Sequence, residues 1–188
     1  MASLGQALKE WAIAVDALET GRTIVLLRKG GIREQGRFSI EQTQVLLYPT
    51  YEHQQPHLLK AELQAGVKAV NSGWHPETVQ IGSVAAITDI FQVSEVAILD
   101  SLLPFHIWNA QFATERFQWK PKSPLYVLLL RVSKLSQTHV IPYQSEYGGC
   151  RSWIDLKEAI ALEGATPVLS DTAYSDQVEK IRSLLTIP

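Results

Sequence analysis

One run constrains the fold more than any other. Residues 125–130 read Leu-Tyr-Val-Leu-Leu-Leu, Pro124 precedes them, and polar and apolar side chains alternate from Arg131 onward. The run is far short of the roughly 20 residues needed to cross a bilayer. It suits a strand that is buried on both faces and becomes half-exposed as it continues. Such a strand lies inside a sheet, so the rest of the chain must supply its neighbours. The best neighbour is 79–93, which is β-rich, with Val84, Ile87, Ile90, Phe91 and Val93 as core candidates and Thr88-Asp89 as a bulge or turn.

Further elements follow from spacing and punctuation. Ser3 and Gln6 have capping-box spacing, and Leu4, Leu8, Trp11, Val15 and Leu18 form an apolar stripe, which predicts a helix closed by Gly21. Residues 23–28 read as a strand stopped by Gly30-Gly31; 37–40 and 44–48 read as further strands. Residues 57–64 are weakly helical and 65–76 read as a loop. Ser94 and Asn109 are placed to cap helices ending near Leu103 and Phe117. Ser152 and Ser175 are placed to cap 153–162 and 176–185. No regular strand–helix alternation appears. The expectation is an α+β fold with a mixed or antiparallel sheet or partial barrel, flanked by an N-terminal helix and C-terminal helices. Residues 1–164 read as one domain, with 165–188 a helical appendage packed on it.

The single cysteine, Cys150, excludes a disulfide framework and fits a reducing compartment. No secretory signal or membrane span is visible, so a soluble cytoplasmic protein is expected. The net charge of −2 conceals an uneven distribution. Residues 1–37 hold six cations and four carboxylates, and 112–134 hold five and one, whereas 38–111 hold two and seven. Two basic islands result: Arg22, Arg28, Lys29, Arg33 and Arg37, then Arg116, Lys120, Lys122, Arg131 and Lys134. They are either solvated faces offset by acid elsewhere or one surface that meets a polyanion.

Several segments carry candidate chemistry. The Gly30-Gly31 turn between Arg28, Lys29 and Arg33 is either an anion-binding nest or an ordinary turn. Residues 48–54 pack Tyr48, Tyr51, Glu52, His53 and Gln54 around Pro49 at the end of a strand; they form a recognition surface, an acid–base pair at Glu52 and His53, or a structural corner. Arg116, Trp119, Lys120 and Lys122 interleave cations with aromatic rings, the pattern of single-strand binding, unless Phe117 and Trp119 are core anchors. His53 and His57 have i, i+4 spacing, but Pro56 disfavours a helix between them, so no metal site is expected. Cys150 beside Arg151 is either an activated thiol at a helix start or a small buried residue, the default reading. No G-x-S-x-G, Walker loop, dinucleotide fingerprint or H-E-x-x-H is present, and no cofactor is expected.

In order, LKEWAIAV at 8–15, LLRKGGIRE at 26–34, LYPTYEHQ at 47–54, PFHIW at 104–108, RFQWKPK at 116–122 and EYGGCRSWIDL at 146–156 resemble the domain-of-unknown-function 1802 family, common in cyanobacteria. The resemblance covers nearly all of 7–156 and implies no settled activity. Some of its members are fused to restriction-endonuclease-like domains, which implies a reader role in nucleic-acid defence; this chain has no room for such a domain. Residues 81–93 and 126–135 are similar to the paired strands of PUA-like barrels, a group that includes readers of modified or flipped bases. Together these point to a non-enzymatic module that binds DNA or RNA and not a membrane. Lys29, Arg33, Arg116, Lys120 and Lys122 would meet phosphate, and Tyr51, Glu52, His53, Gln54 and Trp119 would form the recognition surface. A nucleotide- or anion-acting enzyme using Glu52 and His53, or a protein-partner module with core tryptophans, are the alternatives.

Overall fold

The structure, a computed structural model, describes residues 2–29 and 44–185. The apolar run forms the start of β5 (Leu125–Pro142), and all of 125–130 is buried. Along nearly its whole length β5 pairs antiparallel with β4 (Thr78–Val93), from Thr78 opposite Pro142 to Val93 opposite Leu125. The register shifts twice, once between Ile87 and Asp89, where the bulge was expected. On its other side β5 pairs with β2 (Val25–Lys29). β4 pairs with β3 (Gln44–Thr50), β3 runs parallel to β1 (Ser3–Trp11), and β1 pairs antiparallel with β6 (Trp153–Ala161). The order is β2-β5-β4-β3-β1-β6, with the short β7 (Thr166–Pro167) added to β5. The mixed α+β sheet is as expected, and β1 with β3 is its single parallel pair among the described residues.

The sheet curls. In the strand order β2 and β1 stand four steps apart, about 19 Å in a flat sheet at roughly 4.8 Å per step. Yet the Arg28 guanidinium of β2 donates to Glu10 of β1 at 2.6 Å. Only a sheet bent nearly onto itself brings these side chains together, which is the partial barrel expected. The bulges in the β4–β5 ribbon supply bend and extra twist.

Two expected helices are strands. The 4, 3, 4, 3 spacing at the N-terminus marks a helix only over α1 (Ala12–Glu19). Residues 3–11 pair on both sides, with β3 and β6, so Ala7 and Leu8 are both buried although they face opposite ways. Burial on both faces mimics a helical stripe. Trp11 therefore ends a strand, half-buried and edge-on to Phe112 at 5.7 Å, and is not a core residue of a helix. Residues 153–161 alternate, with Ile154 and Leu156 buried and Asp155 and Lys157 exposed, as pairing with β1 requires.

Helices cover the curled sheet. α1, α3 (Val96–Leu102), α4 (Ala110–Gln118) and α5 (Asp171–Leu185) contribute Leu18, Leu102, Phe112 and Ile181 to one core with Leu8, Leu27, Leu47 and Leu129. A short α2 (Ala61–Gln64) adds Leu63. Asn109 caps α4 as expected, its side chain accepting from the Phe112 N–H at 3.0 Å. α5 starts earlier than Ser175, because the Ser170 hydroxyl accepts from the Ala173 N–H at 3.2 Å. It docks on the β4 bulge: Tyr174 and Thr88 hydroxyls meet at 2.5 Å, and Arg182 donates to Asp89 at 2.5 Å. Among the described residues no helix is long and apolar enough to cross a membrane.

His106, between α3 and α4, is 2% exposed. Burial first, then the Lys60 charge, pushes its imidazole from an ordinary value near 6.5 down to about 4. Unfolding frees it to take a proton between those values. Stability is therefore complete above about pH 6.5 and falls by about 3 kcal/mol as pH drops towards 4. Urea unfolding of the parent and of His106→Phe at pH 7 and 4.5 checks this. The parent should lose more stability on acidification than the variant; equal losses would exclude a buried neutral imidazole.

Candidate nucleic-acid interface

The carboxyl ends of β1, β2 and β3 open into one cleft of about 980 Å³. Its other walls come from α4 and the residues after it, from the loops after β3 and before β4, and from 143–152.

The wall between β2 and α4 is built around one carboxylate. Glu10, 8% exposed, accepts from Arg28 through Oε2 at 2.6 Å and from the Trp11 N–H through Oε1 at 2.9 Å. Arg28 also donates to the Lys9 carbonyl at 3.2 Å. Arg116 of α4 stands 5.3 Å from the Phe112 ring and 5.5 Å from Trp119, and its buried Nε has no partner among the described residues. Burial, with a further push from Arg28, lowers the Arg116 pKa against the pull of Glu10. Lys29 donates to the Phe117 carbonyl in the last turn of α4, and burial and Arg116 hold its ammonium below the usual range. Arg28 and Arg116 thus share one carboxylate, with Lys29 close to Arg116. Beyond them Trp119 is 48% exposed, with the Lys120 ammonium 4.5 Å from its ring.

The opposite wall is a cross-braced pair of loops. Glu52 accepts from the Gly73 N–H at 2.6 Å and from the Ser72 hydroxyl at 3.3 Å, and His53 Nε2 lies 3.5 Å away. The Gly73 hydrogen bond is the main cause of a lowered Glu52 pKa. Tyr51 and Trp74 meet edge-to-face at 5.9 Å, with the Lys68 ammonium over both rings. His53 and Lys120, the two non-glycine residues with left-handed backbone among those described, both line the cleft. Such conformations cost free energy and cluster where a structure serves a ligand.

The floor holds Lys9 and Tyr48, paired across the parallel strands and facing the same way. Lys9 donates to the Tyr147 and Gly149 carbonyls at 2.5 and 2.9 Å. Tyr147 packs edge-on to Tyr48 at 5.9 Å, and His75 stacks on Tyr143 at 3.7 Å.

Of the residues singled out in the sequence, Lys29, Tyr51, Glu52, His53, Arg116, Trp119 and Lys120 line this one cleft. Gln54 does not: its side chain accepts from the Ile13 N–H at 3.0 Å and so closes the first turn of α1. Lys122 is exposed and is not among the lining residues, while Arg33 and the Gly30-Gly31 turn lie outside the described residues. Arg131 of the second basic island goes elsewhere, to Asp171 at 2.7 Å. Cys150 is exposed rather than buried, and the strand after it removes the expected helix start. Among the described residues no group of three His, Cys, Asp or Glu is arranged for a metal. Tyr48, which opens the 48–54 cluster, lines the cleft as well, whereas Lys9, Glu10 and Trp74 were not foreseen. Lys9 and Glu10 lay in a segment read as helix, and Trp74 in one read as loop.

The family described as "Domain of unknown function (DUF1802)" matches residues 7–180, well into α5 and past the 156 reached by the motifs. Among solved structures, ASCH from Zymomonas mobilis is similar at 13% identity and a TM-score of 0.49, over 96% of this chain and 95% of that one. A mutant form of the same protein is similar at the same identity and score over 96% of each chain. No curated protein matches.

Removing the Glu10 carboxylate leaves Arg28 buried without its partner beside Arg116. Glu10→Ala should cost about 3–5 kcal/mol, as for breaking a buried ion pair from one side. Urea unfolding at pH 7 measures it, and a change below about 1 kcal/mol would mean that the pair does not hold β1 to β2.

Proposed function

The chain belongs to the DUF1802 family, and from that premise we propose that it is a nucleic-acid-binding module whose cleft takes a single strand or a locally opened one. The observation that carries this reading is the charge of the cleft. Lys9, Arg28, Lys29, Arg116, Lys120 and Arg151 line it against Glu10, Glu52 and Glu115. A chain of net charge −2 therefore concentrates positive charge in this cleft. Partly buried cations in a cleft focus a field on an anion more strongly than dispersed surface charge does. The half-exposed indole of Trp119 between Arg116 and Lys120 offers a stacking face beside phosphate contacts, the pairing that single-strand binders use.

An acid–base role for Glu52 draws less support. Its carboxylate already accepts two hydrogen bonds, and its lowered pKa makes it a weaker base. Its geometry suits bracing the wall that presents Tyr51.

Binding of labelled single- and double-stranded DNA and RNA, with and without modified bases, over a salt series tests the reading. Lys29→Ala and Lys120→Ala should each weaken binding to every single strand and reduce the salt slope by about 0.7, one phosphate contact each. Trp119→Ala should cost about 1–3 kcal/mol of binding with little change in slope. Lys122→Ala, outside the cleft, should bind like the parent. Failure of the parent to bind any of these at low salt removes the proposal.

A further inference from the structure

The floor of the cleft contains a group that the fold itself leaves unsatisfied. Tyr48 is 2% exposed, and its hydroxyl has no hydrogen-bond partner among the described residues. A buried hydroxyl without a partner destabilises a protein, and phenylalanine would fill the same space without that cost. Its cross-strand neighbour Lys9 is also incompletely used. An ammonium has three N–H donors, and the Tyr147 and Gly149 carbonyls take two. The left-handed Gly149 and the close packing of Gly148, where a Cβ would sit 2.7 Å from the Tyr143 hydroxyl, shape the segment that carries those carbonyls.

The charge around this end is unbalanced as well. Arg151 is exposed at the rim, and its charge acts on Lys9 together with burial. Glu52 and Cys150 act in the opposite direction. The Glu52 carboxylate, however, is engaged by Gly73, Ser72 and His53, and forms no ion pair with Lys9 among the described residues. Lys9 and Tyr48 thus stand side by side on adjacent strands where both line the cleft, and among the described residues the buried Tyr48 hydroxyl and the third ammonium N–H meet no acceptor.

We propose that this inner end binds a phosphate monoester, the terminal phosphate of a nucleotide chain or of a single nucleotide, between the Lys9 ammonium and the Tyr48 hydroxyl. The chain-end form rests on the nucleic-acid reading of the cleft; the phosphate site does not. A monoester carries about −1.5 to −2 charge and three acceptor oxygens near neutral pH, against one charge on an internal phosphodiester. It can satisfy Lys9 and Tyr48 at once and still face Arg151.

Tyr48→Phe is the decisive variant, because it removes one oxygen and keeps the ring. Its melting temperature without ligand should equal or exceed that of the parent. An internally labelled six-nucleotide strand is compared with a 5′-phosphate, with a 3′-phosphate and with hydroxyls at both ends. One of the two phosphates should tighten binding to the parent about tenfold, as a charge-assisted hydrogen bond of this kind does. In Tyr48→Phe and Lys9→Met that ratio should fall towards one. A nucleoside monophosphate should raise the melting temperature of the parent more than the nucleoside does, and the difference should vanish in Tyr48→Phe. If the strand binds without preference for either phosphate, or the preference survives in Tyr48→Phe, the phosphate site is refuted while the nucleic-acid reading stands. If no strand binds but the monophosphate acts through Tyr48, the site stands and that reading falls. If neither binds, both fall.

Discussion

Arg28 reaches Glu10 from a strand four places away in the sheet, and the cleft depends on that reach. The bond holds the edge strand β2 and the inner strand β1 of a curled sheet close enough for one pair of side chains to span them. It also brings two charges into a poorly solvated site, which is costly unless geometry and further hydrogen bonds offset the loss of water. Here the Trp11 N–H and the Lys9 carbonyl complete the pair from the backbone of β1. Among the described residues Arg116 and Lys29 then have no ion pair of their own. A structural bond at the mouth of the barrel therefore produces the positive cleft as its by-product.

The sequence was most informative where burial and local chemistry agree. The 125–130 run had to be interior, Thr88-Asp89 interrupted a strand of the right length for a bulge, and Asn109 stood one residue before a helix. It misled where tertiary pairing outweighed local pattern. Residues 3–11 are apolar at both parities because two strands and two cores enclose them, and a helical stripe has the same spacing. Residues 153–161 become a strand because β1 offers an edge, a fact that sits 150 residues away in the chain.

The candidate site divides in the same way. Cations interleaved with aromatics at 116–120 and the density of polar groups at 51–53 were visible as composition, and both line the cleft. That they meet could not be read locally, since the curl of the sheet joins them. Gln54 had the right company but a structural task, closing α1. Glu10 and Lys9 lacked any pattern, because each gains its meaning from a partner distant in the chain, and Tyr48 showed only as part of the 48–54 cluster, without its pairing to Lys9.

The strand order also bears on how the chain reaches this state. Val25 finds its partner at Leu129, and Ser3 finds its partner at Ala161. During synthesis β1 and β2 emerge first, yet among the described residues β2 has no partner until β5 has been made, and β1 gains its second neighbour only with β6. Long-range pairings of this kind slow folding and leave apolar strands such as Val25–Leu27 uncovered in the meantime. The cleft, lined by the ends of those early strands, is consequently among the last parts of the molecule to exist.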